Sequence, residues 1–101
     1  MVKNTTKKND ILKILGEVKN EVRQRYKTDI KGIFGSYAKG NEKKSSDIDI
    51  LVDFDKGADL FDLVEVSMFL KEKLNCKVDV IPRNSIREEI KQRILEEIIY
   101  L

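Results

Sequence analysis

Residues 47–54 read DIDILVDF, and this stretch constrains the fold more than any other in the 101-residue chain. Side chains alternate across a β-strand. Ile48, Ile50, Val52 and Phe54 therefore point to one face, the core, while Asp47 and Asp49 share the other. A strand that is aliphatic on one side and acidic on the other belongs in a sheet with helices packed on its apolar face.

The rest of the chain supplies such helices and two further strands. Ile11, Leu12, Ile14, Leu15, Val18 and Val22 predict an amphipathic helix from about Asn9 to Tyr26, after eight frayed residues. DIKGIF (29–34) is a short strand that stops at Gly35, and SYAKG (36–40) is one helical turn closed by Gly40. NEKKSS (41–46) is a polar loop. Asp59 N-caps a helix running to Leu74, followed by the strand CKVDVI (76–81), which Pro82 stops. Ser85 and Glu88 form a Ser-x-x-Glu capping box that opens a last helix. Ile86, Ile90, Ile94, Ile98 and Leu101 line that helix as a mostly core-facing stripe whose apolar end, IIYL, can also meet a partner. The expected fold is α+β, an α/β sandwich formed by a small mixed sheet with helices packed on it. The crossover helix leaves the second and third strands parallel.

Composition removes whole classes of chemistry. There is no histidine, which excludes Ser-His triads, a histidine base and histidine-ligated metals. The one cysteine, Cys76, forms no internal disulfide and no zinc site alone, and reads as a small buried hydrophobe. No apolar run approaches membrane-spanning length and no signal-type core follows the basic N-terminus, so the expected location is the cytoplasm and the domain is single, residues 1–101. Residues 1–45 carry a balance of +7 and residues 46–101 one of −5. Scattered charges of this kind are ordinarily solvated faces, and no direct nucleic-acid binding is expected from them.

Four features converge on phosphate chemistry. Two carboxylates side by side, Asp47 and Asp49, repel unless a hard cation compensates them. Gly35 and Ser36 follow a strand and open a helical turn, where backbone N–H groups and a hydroxyl can hold phosphate. Lys39, Lys43 and Lys44 lie between the two motifs. Asp79, inside the otherwise apolar strand, joins the acidic pair if the third strand lies beside the second. Three carboxylates suffice for two metal ions and a base. Asp53 and Asp55 form a second Asp-x-Asp at the strand end, assigned to the turn, and Tyr37 is assigned to packing.

The combination GSYAKG, SDIDILVDF and KVDVI, with ten residues between Ser36 and Asp47, resembles the signature of the DNA polymerase β-like nucleotidyltransferase superfamily. Within it the chain is similar to the minimal nucleotidyltransferases (MNT), many of which are antitoxins of HEPN/MNT toxin–antitoxin pairs. The resemblance implies that Gly35, Ser36 and Lys39 contact the nucleotide. It also implies that Asp47, Asp49 and Asp79 ligate Mg²⁺, and that Asp79 can act as base toward the acceptor. Lys39 departs from the pattern, since many relatives carry Arg there. The implied reaction transfers AMP from ATP to a hydroxyl, and in the antitoxins to a tyrosine of the HEPN ribonuclease. A chain this small builds the nucleotide half of such a site only, which favours a protein acceptor. Two alternatives remain open at this point: an antitoxin that masks its partner without chemistry, and a transferase acting on an antibiotic or metabolite.

Overall fold

A computed structural model describes residues 8–40 and 47–101. Helix α1 (Lys8–Tyr26) buries Ile11, Leu15, Val18, Val22 and Tyr26, one every third or fourth residue, and ends where Lys27 turns left-handed. Strand β1 (Thr28–Phe34) follows, then the single turn α2 (Ser36–Lys39). The acidic strand β2 spans Ile48–Phe54. Helix α3 (Leu60–Leu74) is held by the predicted cap: Asp59 accepts from the Asp62 amide while the Asp62 side chain accepts from the Asp59 amide. Strand β3 (Val78–Pro82) leads into a 3₁₀ turn at Arg83–Ser85, helix α4 (Glu88–Glu97) and strand β4 (Ile99–Tyr100).

The sheet order is β3-β2-β1-β4. β2 and β3 are parallel, as the crossover helix requires, while β1 is antiparallel to both β2 and β4. Helices α1 and α3 cover one face. Their apolar residues close with Ile30, Ile33, Ile48, Ile50, Val52 and Val80 into one core. Phe34 and Leu51 are also buried but stand outside that cluster, on the opposite, outer face. A bulge between Ile30 and Gly32 shifts the β1 register, so that Gly32 lies against Leu51 and Phe34 against Asp49.

Three expectations for the C-terminal part are corrected. Ser85 does not cap α4: its hydroxyl donates to the Pro82 carbonyl 2.8 Å away, and Arg87 occupies the N-cap without a side-chain bond. IIYL is not the end of a helix. The backbone turns extended at Ile98, and Ile99 and Tyr100 pair with Ile33 and Gly32. The isoleucine stripe is not core, because α4 buries no residue fully and Ile90 is 43% exposed. Topology gives the reason. α4 must carry the chain from the β3 edge to the β4 edge, three strand spacings or about 14 Å, and ten residues of helix span roughly 15 Å. It is a connecting strap, not a third core helix. Asp53 also proves to be a strand residue and not part of the turn.

Candidate active site

The parallel β2–β3 register sets Asp49 and Asp79 as Cα partners on adjacent strands. Asp47 stands one residue before β2, anchored there by the Ile48 amide, which donates to the Lys77 carbonyl at 3.0 Å. Asp47 and Asp79 are exposed and Asp49 is half-buried. Burial pushes the Asp49 carboxyl up to about 6, and the charges of Asp79 and then Asp47 push in the same direction. The structure thus gathers all three predicted acids. They do not form a closed cage: among the described residues, no three His, Cys, Asp or Glu side chains are drawn tightly enough to hold an ion by themselves. An open oxygen set of this kind fits magnesium, which keeps water and substrate phosphate in its shell and seldom takes an all-protein cage.

The Gly35–Ser36 turn meets the acids directly. Gly35 has φ 79° and ψ −153°, a conformation open in practice only to glycine. A side chain there would also strike Asp49, because an added Cβ would collide with Oδ2. Backbone and carboxylate are therefore packed together with no intervening atom. Tyr37 and Ala38 are buried in the core, which fixes the turn, and Gly40 in a left-handed conformation ends it. Lys39 does not reach toward the acids. Its Nζ lies 3.3 Å from Oε2 of Glu97, at the end of α4. Lys43 and Lys44 lie outside the described residues.

Sequence reasoning missed Glu97 and Phe34. Neither has a local signal; each joins the site only through the return of α4 and the β1–β2 register. It also missed an ion network further down the outer face. Asp29 accepts from Lys19 and Lys31, each at 3.2 Å, and Asp53 pairs with Lys31 and Arg83. A groove of about 900 Å³ lies between α1 and α3 and is lined by Arg25, Tyr26, Met68 and Phe69 among others. Asp47, Asp49 and Asp79 do not line it, and Arg25 already lies over the rings of Tyr26 and Phe69.

A small mixed sheet with helices on one face, a glycine-serine turn and acids on paired parallel strands define a nucleotidyl-transferring class of protein. The chain belongs to the minimal nucleotidyltransferases: it matches the family described as nucleotidyltransferase domain over residues 15–101. The protein adenylyltransferase MntA of Thermococcus cleftensis is 36% identical over 92 residues, covering 91% of this chain and 93% of that relative. A solved structure of a chain described as a minimal nucleotidyltransferase superposes with a TM-score of 0.77 at 28% identity, over 89% of this chain and 92% of that one. The crystal structure of a toxin–antitoxin with AMP-PNP contains a chain that superposes with a TM-score of 0.66 at 26% identity, over 92% of this chain and 70% of that one. Among the described residues, no helix is long and apolar enough to cross a membrane.

Proposed function

We propose that this nucleotidyltransferase is a Mg²⁺-dependent protein adenylyltransferase. It moves AMP from ATP to a hydroxyl, a tyrosine in the leading case, on a HEPN-type ribonuclease toxin and so silences it as its antitoxin. The observation that carries the reading is the packing of the Gly35 backbone against the Asp49 carboxylate, itself paired with Asp79. This contact supports the reading, because a metal-bound triphosphate needs a turn that admits phosphate beside acids that hold a cation. The adenylyltransferase name of the Thermococcus relative supports the reaction, and the toxin–antitoxin neighbour with AMP-PNP supports both the nucleotide and the kind of partner.

In this reading Asp47, Asp49 and Asp79 would hold magnesium, which would supply positive charge to neutralise the phosphates. Gly35 admits the triphosphate close to the backbone, and Ser36 donates its hydroxyl to a phosphate oxygen. Lys39 supplies a point charge to the same group. Asp79, exposed at its strand, accepts the proton of the incoming hydroxyl. The hydroxyl oxygen bonds the α-phosphorus, the α–β phosphoanhydride bond breaks, and pyrophosphate leaves with its electron pair. The cytoplasm, where ATP and ribonuclease targets meet, is the setting this reaction needs.

The test is intact mass of the partner protein after incubation with ATP and Mg²⁺. One adenylyl group should be gained with the native chain and none with the Asp47→Asn/Asp49→Asn variant. Full labelling by that variant would sink the proposal. Neutralisation of the toxin with no mass gain would establish masking instead, a reading favoured by Leu60, Phe61, Val64 and Met68, all at least half exposed on α3.

A further inference from the structure

The Lys39–Glu97 contact joins the turn after β1 to the end of α4. Lys39 ends the turn that follows Gly35, and Glu97 is the last residue of the α4 strap. The pair is part-exposed, at 45% and 33% of the side chains, with Nζ and Oε2 3.3 Å apart. Glu97 is held in place from both sides. On one side the Ile98 amide donates to the Ile94 carbonyl at 2.9 Å and closes the helix. On the other, Ile99 and Tyr100 pair with β1 and the Leu101 amide donates to the Lys31 carbonyl at 3.1 Å. Within its own helix Glu97 is misplaced. The C-terminal end of a helix is electronegative and favours cations. Yet the last turn of α4 carries Glu96 and Glu97 and no basic residue. A carboxylate kept where its helix disfavours it, and aimed at the cation of the phosphate turn, has a local cost that the helix does not repay.

We propose that Glu97 is a positioning residue that sets ATP affinity by competing with the triphosphate for Lys39. The proposal rests on the reading of Lys39 as a phosphate contact. With no nucleotide, Glu97 neutralises Lys39 and holds it off the acid set. The ammonium has three donors and could touch both partners. The two anions would then stand within a few ångströms of each other and repel. Nucleotide binding therefore turns Lys39 toward phosphate and releases Glu97. Its helix end, which no longer has a compensating cation, loosens. The strap that crosses the outer face thus registers whether the site is filled.

The experiment is a set of calorimetric titrations with AMPCPP, whose α–β bridge does not cleave, in Mg²⁺. The native chain, Glu97→Gln, Lys39→Met and the double variant are compared. Removing one exposed ion-pair partner is expected to tighten binding by Glu97→Gln about threefold, with the change in turnover falling in KM for ATP and not in kcat. Lys39→Met should weaken binding, and Glu97→Gln should add little in that background. Unchanged or weaker binding by Glu97→Gln overturns the proposal. So does a tightening of the same size without Lys39, which would be a general field of the acid. Unchanged binding by Lys39→Met instead removes the reading of Lys39 on which the proposal stands. A measurement without variants checks the release: AMPCPP should speed amide hydrogen exchange over residues 95–98 of the native chain, and slower or unchanged exchange there counts against it.

Discussion

Asp49 carries a conflict that is visible at the scale of one side chain. Its carboxyl is pushed up to about 6 by burial and by two neighbouring acids, so the fold disfavours its charged form relative to the unfolded chain. A group raised in the fold contributes stability that is full below the ordinary carboxylate range and lost as pH rises through about 6. Asp49→Asn should therefore stabilise the metal-free protein at pH 7, on the order of 1 kcal/mol after discounting for solvent screening. Thermal melts with and without the substitution at pH 4 and pH 7 measure this, and a gain of equal size at both pH values would refute the cause given. The same variant should lose adenylyl transfer by at least about a hundredfold. Asp29 behaves in the opposite sense. Burial alone would raise its carboxyl, but hydrogen bonds from Lys31 and Lys19 and their charges outweigh it and hold the group below its usual value. Its contribution is present above the usual carboxylate range and is lost as pH falls below it. Asp29→Asn should then cost about 1 kcal/mol at neutral pH and much less near pH 2, as paired denaturant titrations would reveal.

Whole elements were legible where two signals coincided. β2 had alternation and length, and α3 had apolar spacing with a capping aspartate, so both are found with boundaries within a residue. The C-terminal part was misread because its signals compete. Ile90, Ile94, Ile98 and Leu101 continue a helical spacing through a point where the backbone has already turned extended. What ends the helix is the chance to pair with β1, a tertiary partner with no local trace. Ser85 likewise fits the Ser-x-x-Glu pattern, yet it closes the 3₁₀ turn and its hydroxyl donates to the Pro82 carbonyl. These differences make paired predictions. Asp59→Ala should cost about 1 kcal/mol by loss of the cap on α3, while Ser85→Ala should stay within about 0.5 kcal/mol. Equal losses in urea titrations would contradict the assignment. Gly32 admits β4, because a Cβ there would run into the Ile99 carbonyl. Gly32→Ala should cost on the order of 2 kcal/mol and expose the Leu101 amide, which donates to the Lys31 carbonyl, to rapid hydrogen exchange.

Taken as one molecule, the protein places its acids at a sheet face that packs no core helix, and it gathers them through a parallel strand pair. That much followed from alternation in β2 and an aspartate in β3. The engagement of Lys39 by Glu97 did not follow, since it depends on where a strap lands after crossing the sheet. On the proposed reading, the acid set makes the stability of the whole chain depend on divalent cations. Mg²⁺ in excess of its dissociation constant should raise the melting temperature of the native chain by several degrees, since binding to the folded form alone adds stability by mass action. The Asp47→Asn/Asp49→Asn variant should show no such rise, and an equal rise would place the ion elsewhere.

The two residues of β4 have a consequence outside catalysis. β1 is seven residues long, and without β4 its edge would be open at Gly32 and Ile33, where β4 pairs with it. Such an edge is a template for pairing with another chain. Ile99 and Tyr100 close it after a long return, by a contact that forms late if distant pairings form last. This two-residue strand thus covers the part of the β1 edge that would otherwise be open. Conditions that loosen it, whether a side chain at Gly32 or heat, should bring down the protein's solubility before they abolish its fold.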